Sequence, residues 1–201
     1  MRSYLLILGG MVVASGTAVQ GQVDTAPPMQ APTKLLSSAG VLRASATVDS
    51  VFVDKRSREG SIGGGDFASY LIARLGVRPF PDSLRLQVTV DTARIRIDGR
   101  IMDLPPDARA LMGPLLAIVD PSTPLEAEVT PAPAGPGLAR FRLRAVYLNG
   151  VAIPEFVLQN VLLEVGRRYP VLTASGRDLL IQIPVEGSLK LGSGLVRVLM
   201  P

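Results

Sequence analysis

The chain contains no histidine, no cysteine and no tryptophan. Without histidine there is no imidazole base, and without cysteine there is no thiol nucleophile and no disulfide. The usual zinc ligands are missing with them, and so is any lipid-modified cysteine. Aromatic residues make up only 4% of the chain, which removes the stacking platforms that bind bases or sugars. The net charge of +4 is too small to argue for a nucleic-acid partner. No G-x-S-x-G sequence occurs, so a serine hydrolase is not expected. No catalytic residue, metal or cofactor is expected from this composition.

What is present is aliphatic. Mean hydropathy is +0.33, carried by Leu, Val, Ile and Ala, yet no apolar run beyond the first residues approaches a membrane span. Such a surplus fits either a large core or an apolar pocket.

Residues 1–21 have the grammar of a secretory signal peptide: Arg2, then an apolar stretch over 4–13, then small residues around Gly16-Thr17-Ala18 and Val19-Gln20-Gly21. The stretch is too short to cross ~30 Å of hydrocarbon. The expected location is therefore exported, either periplasmic or extracellular. Residues 22–46, with Ala26-Pro-Pro-Met-Gln-Ala-Pro32, read as a disordered tether. Residues 47–201 are left as one domain, large enough to be held by its core without disulfides.

The domain is organised around residues 141–168. Phe141 to Leu148 alternates as a half-buried strand does. Asn149-Gly150 is a turn dipeptide, and Pro154 suits the start of a helix over 155–168. Val157, Leu158, Val161, Leu162 and Val165 form one apolar arc of that helix, with Phe156 and Leu163 as a second ridge. The same order occurs earlier: a strand at 95–97, Asp98-Gly99 as the turn, Leu104-Pro105-Pro106, then a helix from Asp107. That helix is kinked or stopped by Gly113-Pro114, and carries an almost wholly apolar surface including Leu111, Met112 and Leu115.

Other elements follow from period and punctuation. Residues 47–53 read as a strand. Ser61-Ile-Gly-Gly-Gly65 lacks the Lys-Ser/Thr of a phosphate loop, so Asp66 reads as the cap of a helix over 67–75, closed by Gly76. Leu84, Leu86, Val88 and Val90 give the cleanest strand, hairpinned to 93–97 with Arg94 and Arg96 outside. Leu125, Ala127 and Val129 alternate with Glu126 and Glu128. A loop over 131–137 returns the chain to a strand bearing Arg140, Arg142 and Arg144. These arginines either pair with Glu126 and Glu128 across the hairpin or form a basic face for anionic headgroups. Leu179, Ile181 and Ile183 give a further strand, and Gly192-Ser-Gly194 a bulge or hairpin near the end.

The pattern of Ile95-Arg-Ile-Asp-Gly99, Leu104-Pro105, Tyr147-Leu-Asn-Gly-Val-Ala-Ile-Pro-Glu-Phe156 and Leu180-Ile-Gln-Ile-Pro184 resembles the bacterial exported branch of the tubular lipid-binding (TULIP) superfamily. That resemblance implies an α+β fold: a long curved antiparallel sheet wrapped on two or three helices, enclosing an aliphatic groove for acyl chains. It implies binding or shuttling of lipid in the cell envelope, and no catalysis.

The function expected is thus a non-catalytic exported lipid-binding domain. Its acyl contacts are expected at Leu111, Met112, Leu115, Phe156, Val157 and Leu163. Arg140, Arg142 and Arg144 are expected to contact headgroups or a membrane surface. The rival is a structural or protein-interaction module of the envelope with a fully packed core.

Overall fold

The computed structural model describes residues 34–74, 85–104, 106–111, 119–168 and 176–201. The predicted 1–21 signal segment and residues 22–33 of the expected tether lie outside the described residues. The architecture is α+β, with antiparallel strands shared between two sheets. In chain order the elements are α1 (Ser38–Val48), a π-helical turn (Asp49–Val53), β1 (Glu59–Gly63) and α2 (Gly64–Arg74). Next come β2 (Gln87–Val90), β3 (Ile95–Arg100), a 3-10 turn (Ile101–Asp103) and α3 (Pro106–Leu111). Then follow β4 (Pro124–Ala132), β5 (Leu138–Leu148), β6 (Val151–Ala152), α4 (Glu155–Arg168), β7 (Asp178–Gln182), β8 (Ser188–Gly192) and β9 (Leu195–Leu199).

The smaller sheet has the order β1-β9-β8. The larger runs β2-β3-β4-β5, and β6 and β7 share the far edge of β5. The outer edge of β2 is covered from both ends. Lys34 C=O accepts from Val88 N–H at 2.7 Å, and Leu35 bridges Gln87. Gly194, in the β8–β9 turn, donates to Val90 C=O at 2.8 Å and accepts from Gly64 N–H at 3.1 Å. One core joins both sheets to α1 and α2, built from residues such as Ala44, Phe67, Leu71, Val88, Ile95, Phe141, Val196 and Val198.

The segment 38–46, expected to be tether, and 47–53, expected to be a strand, are instead α1 and its π-helical extension. Local propensity there is modest, and tertiary contact supplies the order. Ser37 caps the helix by accepting from Gly40 N–H at 3.0 Å. Its own N–H donates at 3.0 Å to the hydroxyl of Ser69, a fully buried residue of α2. Arg43 then donates from Nε and Nη2 to the buried Asp66 carboxylate at 2.8 and 2.7 Å. Asp66 is therefore a tie between helices and not the expected N-cap.

The glycines at 64 and 65 serve close approach. A Cβ at Gly65 would lie 2.4 Å from Leu35 O, and one at Gly64 2.7 Å from a methyl of Val90. The expected closing residue, Gly76, lies outside the described residues.

Two other expectations change with the strand register. Asp98-Gly99 is not a turn, because β3 is a central strand. Asp98 lies opposite Gln87 on one side and Glu126 on the other, and the chain leaves the sheet only at Ile101. The turn of the second copy is as expected: Asn149 and Gly150 both have positive φ, at 49° and 77°. The apparent repeat is thus not a structural duplication at its turn.

The acidic face of β4 pairs with β3 and not with β5. Arg94 Nη1 donates to Glu128 at 2.8 Å, and Arg96 Nε to Glu126 at 2.7 Å. In the β4–β5 register Glu126 and Glu128 face Tyr147 and Ala145, so the β5 arginines are out of reach. These β3–β4 pairs are exposed and salt-screened. Arg96→Ala is expected to lower Tm slightly at low ionic strength and not measurably at 0.5 M salt, by calorimetry at both.

Candidate functional site

α2 presents Phe67, Ala68, Leu71 and Ile72 to the larger sheet, the set that a 3.6-residue period places on one side. The sheet answers with alternate residues of its strands. These are Leu86 and Val88, Ile95 and Ile97, Val129, Phe141 and Leu143, joined by Leu179 of β7. Between the two surfaces lies a cavity of about 200 Å³ with an almost wholly apolar lining. Leu36 and Gly176 complete the wall, and Arg177 is the charged residue among the described lining. The rings of Phe67 and Phe141 meet edge to face, with centroids 5.6 Å apart and planes at 61°, and hold α2 to β5 beside the void. Close-packed interiors hold few voids larger than a water molecule.

A second cavity, of about 300 Å³, adjoins it at a gap in the sheet. β7 pairs with β5 as far as Arg142, and β6 takes over at Tyr147. The bonds flanking the gap are Leu143 N–H to Arg177 C=O and Ile153 N–H to Val146 C=O, both 2.8 Å. Arg144 and Ala145 stand between them, and α4 lies across the opening. The lining is mixed: Ile153, Leu158, Leu162 and Leu163 beside Arg144, Glu155, Gln159 and Arg177. Arg177 lines both cavities. Its Nη1 donates to the exposed Glu155 carboxylate at 2.5 Å, and its Nη2 to Arg144 C=O at 3.4 Å.

Gly176, with φ +65°, lets the chain pass against the last turns of α4. A Cβ there would sit 1.6 Å from Leu162 O. Next along β7, Asp178 is 3% exposed and receives both Arg140 and Arg142. Arg142 donates to it from Nε at 2.7 Å and from Nη2 at 3.0 Å. The guanidinium hydrogen bonds, that of Arg142 first, outweigh burial and hold this carboxyl down at about 2.

Of the expected acyl-contact residues whose side chains are described, none lines the apolar cavity. Phe156 is 74% exposed and lies outside both cavities, as does the half-buried Val157. Leu163 lines the second cavity. The side chain of Leu111 is not described, and Met112 and Leu115 lie outside the described residues. The second ridge of α4 is split: Phe156, at its first turn, faces outward, and Leu163, two turns on, faces the second cavity. Of the three arginines expected to meet headgroups, Arg140 and Arg142 are bound to Asp178, and Arg144 borders the second cavity.

The residues that do line the apolar cavity, notably Phe67, Leu71, Val88 and Ile95, left a readable signal. The cleanest alternating strand needs a cover, and the apolar stripe at 67, 68, 71 and 72 supplies one. Among the described residues no three acidic side chains cluster closely enough to hold a metal, and no helix is long and apolar enough to cross a membrane. Comparison of the chain with protein-family models, with curated proteins and with solved structures returns no match.

Proposed function

We propose that this protein is an exported, non-catalytic lipid-handling domain that takes an alkyl chain into the cavity between α2 and the larger sheet. The observation that carries the reading is the size and chemistry of that cavity, about 200 Å³ walled by α2, β2–β5 and β7 with hydrocarbon. An engineered apolar cavity of about 150 Å³ already holds benzene. The volume here suits about six to eight carbons of an alkyl chain. At about 0.8 kcal/mol per methylene, six of them gain about 5 kcal/mol before the entropic cost of association. The TULIP resemblance supports the same ligand class, and the signal-like residues 1–21 support export.

The test uses methyl-labelled protein titrated with n-decanol and followed by NMR. Shifts concentrated on Val88, Ile95, Leu143 and Leu71 are expected. Ala68→Phe places a ring in the cavity, and is expected to keep or raise Tm while weakening decanol binding at least tenfold, about 1.4 kcal/mol. No methyl shifts, or equal binding by Ala68→Phe, would leave the cavity as a packing feature only.

A further inference from the structure

Resting on the alkyl-chain reading, we propose that the two cavities form one site for an anionic single-chain amphiphile, with Arg144 and Arg177 receiving its acid group. Three observations place the acid group. The cavities meet at Arg177, which lines both. The apolar cavity offers an alkyl chain no polar neighbour other than Arg177 among the side chains described. The sheet is interrupted at Arg144 and Ala145, where the edge of β5 passes from β7 to β6, and the second cavity sits on that interruption. A tail lying on Leu143 and Leu179 therefore has its polar end at the break, beside two guanidiniums.

Glu155 occupies part of that ground now, bound to Arg177. Its side chain is 77% exposed, on the first residue of α4, and can turn to water without leaving a buried charge. A ligand acid group replaces it with the same charge-assisted geometry on Arg177. Arg144 is exposed, and its guanidinium has no ion pair among the described residues, so it adds a second cation at no cost to an existing bond. Carboxylates and phosphate monoesters share the required chemistry: a compact anion on one alkyl chain.

The experiment is calorimetric titration of the full chain with four ten-carbon probes: decanoate, decyl phosphate, decanol and decyltrimethylammonium. Decanoate, decyl phosphate or both are expected to bind about tenfold tighter than decanol, the size of one charge-assisted hydrogen bond near solvent. The cationic probe is expected to bind worst. The order of the two anions names the headgroup. Arg144→Gln is expected to bring the anions down to the affinity of decanol. Glu155→Gln is expected to raise anion affinity several-fold by removing the competing carboxylate, which a merely structural Glu155 would not do. If decanol and the ammonium bind as well as the anions, the acid-group assignment is overturned while the alkyl-chain reading stands. If decanol also fails to bind, both fall.

Discussion

Gly176→Ala is expected to destabilise the protein by about 4 kcal/mol or more, from two separate causes. The first is conformational: φ is +65°, where an L side chain costs about 1–2 kcal/mol. The second is a collision with backbone. The new methyl would lie 1.6 Å from Leu162 O and 2.4 Å from Leu162 C, and a helix carbonyl cannot rotate aside as a side chain can. Gly150→Ala separates the two causes, since Gly150 has φ +77° but nothing within 4 Å of where its new methyl would stand. It should lose only the conformational share. Urea denaturation of both variants checks this. Gly176→Ala is expected to be far the worse, with earlier proteolytic cleavage in α4. Equal losses would mean that α4 does not rest on Gly176.

Asp178→Ala is expected to cost about 3 kcal/mol, because it leaves Arg140 and Arg142 facing each other at the β5–β7 pairing with no anion between them. Their side chains remain 31% and 39% exposed, so water offsets part of the loss. At about 2–4 °C per kcal/mol for a chain of this size, Tm should fall by roughly 6–12 °C. The same carboxylate gives the wild type an acid limb. Its folded value, about 2, lies below that of an unfolded Asp, near 4. The unfolded state then binds the proton first as pH falls, so the stabilisation is complete above pH ~4 and disappears between pH ~4 and ~2. That share is about 1–2 kcal/mol after solvent screening, and Asp178→Asn should flatten it. An unchanged acid limb in Asp178→Asn would place the pH dependence on other carboxylates.

The main strands of the larger sheet and α4 were legible because their periods are regular and their turns carry specific chemistry, whereas β1 was not read as a strand and the strand expected at 47–53 is helical. Leu86, Val88 and Val90 point inward as their spacing requires, and Asn149-Gly150 turns the chain with two positive φ values. α1 was not legible, since its order comes from partners distant in sequence: Asp66 for Arg43, and Ser69 for Ser37. Register was also hidden. Nothing in 124–148 says that Glu126 and Glu128 will meet β3 arginines and that Asp178 will take Arg140 and Arg142. The candidate site was half visible. The aliphatic character of its lining followed from composition. Its place did not, because a ridge on α4 looks alike whether it faces a hollow or solvent.

The covering of β2 by Lys34, Leu35 and Gly194 bears on how the protein behaves when crowded. A bare outermost strand invites the backbone of another molecule to continue the ladder, the route by which native sheets stack into fibrils. Here the amide of Val88 and the carbonyl of Val90 are already engaged by the same chain, so at these positions the flank of the larger sheet offers no free rung on which aggregation could start.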